Sequence, residues 1–245
     1  MNDRRILRIS GPDAHEFLQG IVTNDVRKLA EGPVYAALLT PQGKYIADFF
    51  LCADGDDILL DVAEEQADTA LARLNMYKLR ADVTIETTGL HLHRGTGTPP
   101  EDGYADPRSP EMGWRAYRDS PQAVDDTDWA ARRVAAMVPE AGVDLGPDNF
   151  ILEMGFERLG GVDFRKGCYV GQEVTARMKH KTALRKGLGR VSVQGPADPG
   201  TEITANGKPA GQLLTRAGDK ALAYLRFDRA EGPMQAGEAE VTRED

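Results

Sequence analysis

One cysteine, within residues 165–177 (Arg-Lys-Gly-Cys-Tyr-Val-Gly-Gln-Glu-Val-Thr-Ala-Arg), has the surroundings of a reactive thiol. Cys168 lies two positions after Lys166, directly after Gly167 and shortly before Gly171. Glycines permit backbone conformations that residues with a Cβ resist, and a nearby lysine and a helix N-terminus both favour the thiolate. The alternative is a buried, inert cysteine, because free cysteine is among the most buried residue types. The flanking pattern favours an accessible, functional thiol, with Lys166 supporting it. The apolar run Phe-Phe-Leu directly before Cys52 predicts that the other cysteine is buried.

Basic residues are concentrated around this motif, although the whole chain carries a formal net charge of −9. Between residues 165 and 190 there is one acid, Glu173, and the basic residues are Arg165, Lys166, Arg177, Lys179, Lys181, Arg185, Lys186 and Arg190. The overall negative charge disfavours general nucleic-acid binding, which requires a cationic surface. This segment is therefore either a solvated basic face or an anion-binding rim.

The first half of the chain contains a regular series of elements that would position such a site. The pattern predicts a short helix near the N-terminus, three consecutive strands, a longer helix and a further strand. These are residues 12–19, 35–40, 45–53, 58–62, 64–77 and 83–86. The order of strands and helix is typical of an α+β unit in which the helix packs on one face of a sheet.

The second half differs in character. Residues 95–122 are rich in Gly, Pro and Asp and predict a loop region with a brief strand at 114–117, which is a plausible lobe boundary. Asp128 is suited to cap a helix that extends to about Met137. After residue 179, short alternating segments ended by turn residues predict a small β-barrel.

The composition of the chain limits the classes of protein to which it can belong. The chain has 245 residues, of which 41% are hydrophobic, enough for one large domain or two to three small lobes. Its two cysteines, Cys52 and Cys168, are far apart without a CxxC motif, which argues against a zinc site or a cluster held by this chain alone. No apolar run approaches a membrane span of ~20 residues, and no export signal is recognised, so we expect a cytoplasmic protein.

The motif at residues 166–173, Lys-Gly-Cys-Tyr-Val-Gly-Gln-Glu, resembles the signature of the YgfZ family of folate-binding proteins. Further matching segments cover nearly the whole chain and are residues 11–20, 22–26, 41–44, 106–108, 112–113 and 159–164. The resemblance implies a protein that binds tetrahydrofolate or a derivative and supports the assembly or repair of iron-sulfur clusters. It also implies a distant relation to the aminomethyltransferase of the glycine cleavage system, and transient contacts with client enzymes or assembly machinery.

The resemblance implies an α+β fold of three lobes in a ring, with folate between the lobes. The first lobe would be discontinuous, formed by residues 1–40 and 125–183, and would carry the cysteine motif. The second would be residues 41–124, and residues 184–245 would form the C-terminal β-barrel.

The same resemblance implies which residues hold the folate. Asp48 occupies the region where aminomethyltransferases carry paired aspartates, and here the pair is Ala47-Asp48. Glu153 resembles a family acid that accepts hydrogen bonds from the pterin edge. The full set of expected folate-binding residues is Asp48, Glu153, Tyr45, Asn24, Tyr169, Gln172, Glu173 and Arg177. The alternatives are solvent-facing acids, tyrosines that fill the core, and a turn-forming role for Asn24.

Two other functions stay open from the sequence. One is a folate-dependent aminomethyltransferase or one-carbon demethylase, which the loss of one aspartate of the pair disfavours. The other is an RNA-binding module that uses the basic segment, which the acidic charge and the aromatic content of 7% disfavour.

Overall fold

The computed structural model of the protein describes residues 4–180 and 184–244. Within these residues the α-helices are Ala14–Gln19 (α1), Glu64–Lys78 (α2), Trp129–Ala136 (α3) and Gln172–His180 (α4). The strands before α3 are Arg4–Ser10 (β1), Val34–Leu39 (β2), Tyr45–Asp54 (β3), Asp57–Ala63 (β4), Thr84–Thr87 (β5), His91–Gly95 (β6), Tyr104–Ala105 (β7) and Trp114–Arg118 (β8). The strands after α4 are Lys186–Gln194 (β9), Glu202–Ala205 (β10), Lys208–Ala217 (β11), Lys220–Arg226 (β12), Met234–Ala236 (β13) and Ala239–Glu244 (β14).

The first five strands form one antiparallel sheet in the order β2-β3-β4-β1-β5. Strands β2 and β3 are almost continuously apolar because both faces of the sheet are covered. On one face, residues such as Leu38 and Phe49 pack with α1 and α2. On the other face, Tyr35 and Phe50 pack with residues of α3, the 145–164 region and the barrel.

The predicted three-strand meander, the helix after it and the strand after that are confirmed. Strand β1 was not predicted, and it lies between β4 and β5 inside the sheet. The sheet also crosses the lobe boundary that we placed between residues 40 and 41, because β2 and β3 on either side are a hydrogen-bonded hairpin. The rest of the division into lobes stays a prediction.

Two smaller units complete the fold. Strands β6, β8 and β7 form a three-stranded sheet in that order. After α4 the strands β9 to β14 close into a six-stranded barrel with its own apolar core, as the sequence predicted. Helix α3 begins after Asp128, whose side chain accepts from the backbone N–H of Ala131 at 2.9 Å, so the predicted cap is confirmed. No helix in the part of the chain that the structure describes is long and apolar enough to cross a membrane.

Candidate functional site

The thiol loop, residues 166–171, presents Cys168 to solvent just before α4. Cys168 is exposed whereas Cys52 is buried in β3, as we expected for the two thiols. Gly167 has φ of +101°, a conformation that L side chains rarely adopt, and its Cα faces open space. The side-chain amide of Gln172 donates to the Gly167 carbonyl at 3.0 Å. The thiol is therefore accessible while the backbone next to it is held in place.

The buried side chain of Lys166 holds the thiol loop against the end of α1. Its ammonium is buried and donates to the carbonyl oxygens of Gln19 at 2.5 Å and Val22 at 2.7 Å, while the Gln19 amide donates back to the Lys166 carbonyl at 3.2 Å. Burial lowers the pKa of Lys166 to about 8. These contacts make Lys166 an anchor between the loop and the end of α1, and its predicted support of the Cys168 thiolate stays a prediction.

Gly171 allows the loop to approach the β2–β3 hairpin. Its φ is +86°, and a Cβ there would lie 2.7 Å from the carbonyl oxygen of Thr40 and 2.9 Å from the Cβ of Leu39. A side chain at this position would therefore push the start of α4 away from the sheet. The thiol loop is held at both ends, by Lys166 and by the close approach at Gly171.

Asp48 is buried on the sheet face that carries Tyr35 and Phe50, and its carboxylate accepts hydrogen bonds from two tyrosines. The Tyr35 hydroxyl donates at 2.9 Å, and the Tyr45 hydroxyl donates to the other carboxylate oxygen. Burial, with the Asp48 carboxylate beside both phenols, raises the pKa of Tyr35 and Tyr45 well above the usual value. The structure therefore brings together two of the predicted residues, Tyr45 and Asp48. Ala47, the other member of the predicted pair, lies in the opposite core.

Three arginines and two further aspartates extend this region. The central guanidinium carbons of the three arginines lie near the centroid of the Phe50 ring: Arg115 at 3.3 Å, Arg108 at 4.6 Å and Arg4 at 5.8 Å. Together with the aspartates they form what we call the charged centre: Arg4, Arg108, Arg115, Asp48, Asp61 and Asp106. The charges balance, which is the usual condition for burying so many ionised groups.

Asp61 and Asp106 each hold two of these arginines. Asp61 is 0% exposed and accepts from Arg4 at 2.6 Å, and the nearest nitrogen of Arg115 lies at 3.1 Å. Asp106 accepts from two nitrogens of Arg108, at 3.0 and 2.8 Å. Burial opposes ionisation of both carboxyls, but the neighbouring guanidinium groups lower the pKa of each.

Most of the charged centre was not predicted from the sequence. Arg4 and Arg115 were not singled out, and Arg108 appeared only as part of a matching segment. One available signal was Asp61, an acid inside the apolar run Ile-Leu-Leu-Asp-Val-Ala of β4. A charge in a fully buried strand requires a partner.

Glu153 lies at the junction with the barrel. It is half-buried and accepts from the Tyr224 hydroxyl at 2.6 Å, while its backbone carbonyl accepts from the N–H of Leu188 at 2.7 Å. Burial and the Glu153 carboxylate raise the pKa of Tyr224. Glu153 therefore links the 150–160 turns to strands β9 and β12.

Both polar atoms of the Asn24 side chain are hydrogen-bonded within the fold. Its amide nitrogen donates to the carbonyls of Tyr35 at 2.8 Å and Gly160 at 2.6 Å. Its amide oxygen accepts from the Asp25 backbone N–H and from Lys28. The turn-forming role that we weighed against ligand contact accounts for every polar group of this side chain.

The remaining predicted residues lie along the thiol loop and α4. Tyr169 is buried in the core, with its ring centroid 5.1 Å from the Lys166 ammonium. Glu173 and Arg177 form an exposed i,i+4 ion pair at 2.6 Å, a type of contact that contributes little to stability. Gln172 is engaged with Gly167, as described above.

The basic segment is partly neutralised by acids from other parts of the chain. Lys179 pairs with Glu157, and Arg190 pairs with Glu244 at 2.8 Å. Lys181 lies outside the described residues. Within residues 4–180 and 184–244, no group of three or more histidines, cysteines or acids lies close enough to hold a metal ion.

Comparison with known proteins gives matches of three kinds, to a domain family, to full-length relatives and to a solved structure. The family model of the CAF17 C-terminal beta-barrel domain matches residues 185–244, which is the barrel described above. The chain is 32% identical to the mouse (Mus musculus) mitochondrial iron-sulfur cluster assembly factor IBA57 and 30% identical to the human (Homo sapiens) one. Each alignment covers 96% of this chain and 78% of the relative. The glycine cleavage system aminomethyltransferase T from Bartonella henselae has a similar structure, with a TM-score of 0.76 and 13% identity over 100% of this chain and 83% of that one.

The comparisons confirm the predicted α+β, aminomethyltransferase-like fold with its C-terminal β-barrel. They contradict the expected cytoplasmic location, because the curated relatives are named as mitochondrial proteins. That expectation was wrong because it was inferred from the lack of a membrane-length apolar run and of a recognised export signal, and neither observation distinguishes the cytoplasm from the mitochondrion.

Proposed function

The chain belongs to the IBA57 family of iron-sulfur cluster assembly factors, and we propose that it supports cluster assembly or repair in client enzymes through the exposed thiol of Cys168. The observation that carries this proposal is the thiol loop, which presents a cysteine to solvent on a backbone held by Lys166 and by Gly171. Thiolates are the usual protein ligands of iron-sulfur clusters. The cluster would be cargo, and the client enzymes or the assembly machinery would be transient partners.

We also propose that the protein binds tetrahydrofolate, as the YgfZ-like motif implies. The side chains at the charged centre suit a pterin, because an aspartate beside aromatic rings can accept hydrogen bonds from the ring N–H groups while the rings stack on it. Asp48 would hold the pterin edge and Tyr45 would orient Asp48 through its hydroxyl. When bound, a reduced folate supplies a carrier for one-carbon units.

Glu153 is the second carboxylate proposed for the pterin. Lys166 has a different part in the proposal, because its ammonium is engaged with the carbonyls of Gln19 and Val22. Lys166→Ala should therefore spare tetrahydrofolate affinity more than Glu153→Ala does. Calorimetric titration of both variants with tetrahydrofolate measures the difference, and equal losses of affinity would contradict the separate roles.

A cell-based experiment tests the assembly function. Cells that lack this chain should lose activity of their iron-sulfur enzymes, and expression of the chain should restore it. Thermal unfolding with tetrahydrofolate tests the cofactor separately. At 100 times the dissociation constant, the ligand should add about 2.7 kcal/mol to the free energy of unfolding. Unchanged enzyme activities in the deletion would contradict the first proposal, and an unchanged melting temperature at millimolar tetrahydrofolate would contradict the second.

The two rival functions gain no specific support. A transferase would be expected to place a pair of adjacent aspartates together, and here the pair is Ala47-Asp48, of which Ala47 points into the opposite core and only Asp48 belongs to the charged centre. An RNA-binding face would require a strong positive charge, and acids that pair with Arg177, Lys179 and Arg190 reduce the charge of the basic segment.

A further inference from the structure

The aromatic surface beside Asp48 is built from rings that a flat ligand could use. The ring centroids of Tyr35 and Phe50 are 5.3 Å apart, and Phe156 stacks on Tyr35 with centroids 5.1 Å apart and planes at 27°. Asp48 is joined to this surface through the Tyr35 hydroxyl. A carboxylate beside stacked rings is a suitable surface for a planar heterocycle with N–H donors.

The guanidinium of Arg108 lies over this surface in the structure, and that of Arg115 also contacts the Phe50 ring, with its central carbon 3.3 Å from the ring centroid. The central carbon of Arg108 lies 4.6 Å from the Phe50 ring centroid and 5.4 Å from that of Tyr35. A guanidinium is flat, cationic and rich in N–H donors, and it stacks on aromatic rings. Arg108 therefore makes the contacts that a pterin-like ring would be expected to make at the same place.

Arg108 lies in a short segment that follows β7, at the edge of a sheet. Strand β7 has two residues and lies at the edge of the β6-β8-β7 sheet. The segment is closed by a bond from the Asp106 backbone N–H to the Gly113 carbonyl at 2.8 Å. Pro107 is exposed, and the Arg108 side chain is 11% exposed, so the segment lies between the charged centre and solvent.

Asp106 and Arg108 are two residues apart and form a two-point ion pair. Because both belong to the same segment, they can leave the aromatic surface together without separating their charges. Asp106 would lose its long contact with Arg115, at 3.4 Å, and its backbone bond to the Gly113 carbonyl. Asp48 would keep its tyrosine partners and lose a cationic neighbour, which leaves its carboxylate better able to accept from a ligand.

We propose that residues 106–108 are a latch over the folate site, and that a flat heterocycle of the pteridine class binds after Arg108 leaves the surface of Tyr35 and Phe50. The inference rests on the proposed folate binding and concerns its regulation. Arg108 competes with the ligand ring for one place, so the latch lowers affinity and sets which ligands are able to displace it.

Calorimetric titration with tetrahydrofolate tests the latch. Arg108→Ala should bind at least about tenfold more tightly than the unmodified chain, since the competitor is gone. Arg108→Lys keeps the charge without the flat stacking group and should fall between the two. Arg243→Ala is the matched control, because Arg243 lies 4.8 Å from the Phe227 ring in the barrel and its loss should leave affinity unchanged.

Hydrogen exchange on the unmodified chain gives a second readout that requires no variant. Saturation with tetrahydrofolate should speed exchange of the backbone amides in residues 106–113, which are protected by bonds such as that from Asp106 N–H to the Gly113 carbonyl at 2.8 Å. Weaker binding by Arg108→Ala would make Arg108 a ligand-binding residue and overturn the latch. Equal affinity with unchanged exchange would overturn the latch and leave folate binding intact. Absence of binding by every form of the chain would overturn both.

Discussion

The charged centre and the thiol loop differ in the exposure of their reactive groups to solvent. In the charged centre the carboxylates of Asp48, Asp61 and Asp106 are buried and each has at least two partners. In the thiol loop the backbone is anchored but the Cys168 side chain is exposed. The two cysteines show the same contrast, because burial raises the pKa of Cys52 to about 11 while Cys168 is open to solvent. At the charged centre the proposed binding surface is closed, whereas in the thiol loop the Cys168 thiol is already accessible.

The largest expected effect on the free energy of unfolding comes from a substitution in the charged centre. Asp61→Ala would leave the buried guanidinium groups of Arg4 and Arg115 without their shared acid, and breaking a buried ion pair in this way costs about 3–5 kcal/mol. We expect a loss of that size in the free energy of unfolding, measured with urea. Asp102→Ala is the control, because Asp102 pairs with Arg118 at the surface and should have little effect. A loss no larger than the control's would contradict the account of the centre as a tightly coupled cluster.

The next effect concerns the anchor of the thiol loop. Lys166→Met keeps the apolar stem and removes both hydrogen bonds to the carbonyls of Gln19 and Val22. Leaving buried acceptors unpaired costs about 1–3 kcal/mol. Urea unfolding should show this loss, and hydrogen exchange should show faster opening of the loop. An unchanged free energy of unfolding would mean that the loop is held without Lys166.

The same lysine predicts a dependence on pH. The folded chain releases the Lys166 proton near pH 8, whereas the unfolded chain holds it to about pH 10.5. Between these values the unfolded chain binds more protons, so the contribution of Lys166 to stability rises with pH and is lost as pH falls through 8. The stability gap between the unmodified chain and Lys166→Met should therefore be wider at pH 10 than at pH 7.5. A constant gap would show that burial does not shift this pKa.

A smaller effect separates two glycines of the thiol loop. Gly167→Ala should cost about 1 kcal/mol, because an L residue at φ of +101° is strained but a Cβ there meets open space. Gly171→Ala should cost more, since its Cβ would also approach the Thr40 carbonyl to 2.7 Å. Thermal unfolding of the two variants ranks them. Equal losses would mean that the hairpin moves away from α4 without resistance.

The local elements of this fold could be predicted from the sequence, because each depends on neighbouring residues. The strands of the meander, helix α2 and the Asp128 cap follow from apolar spacing and capping chemistry over a few positions. The exposure of Cys168 and the burial of Cys52 followed in the same way, from glycines beside one and an apolar run around the other.

The rest of the site could not be predicted because it depends on residues far apart in the chain. Arg4 meets Asp61 across 57 positions, and Lys166 meets Gln19 across 147. Such pairs leave no periodic pattern. The resemblance identified the segment that contains Arg108 but not its position over Tyr35 and Phe50, since that position is fixed by the sheet packing.

Replacement of Cys168 by serine, in cells that lack this chain, tests the central claim most directly. The side chain is exposed, so Cys168→Ser should leave the melting temperature nearly unchanged. Iron-sulfur enzyme activity should nevertheless not recover, because a serine hydroxyl does not replace a thiolate as an iron ligand or in disulfide exchange. Cys52→Ser, which removes the buried thiol, is the control and should still support the enzymes to the extent that it folds. Loss of activity with Cys168→Ser at unchanged stability is the predicted result, and full recovery of activity with that variant would contradict it.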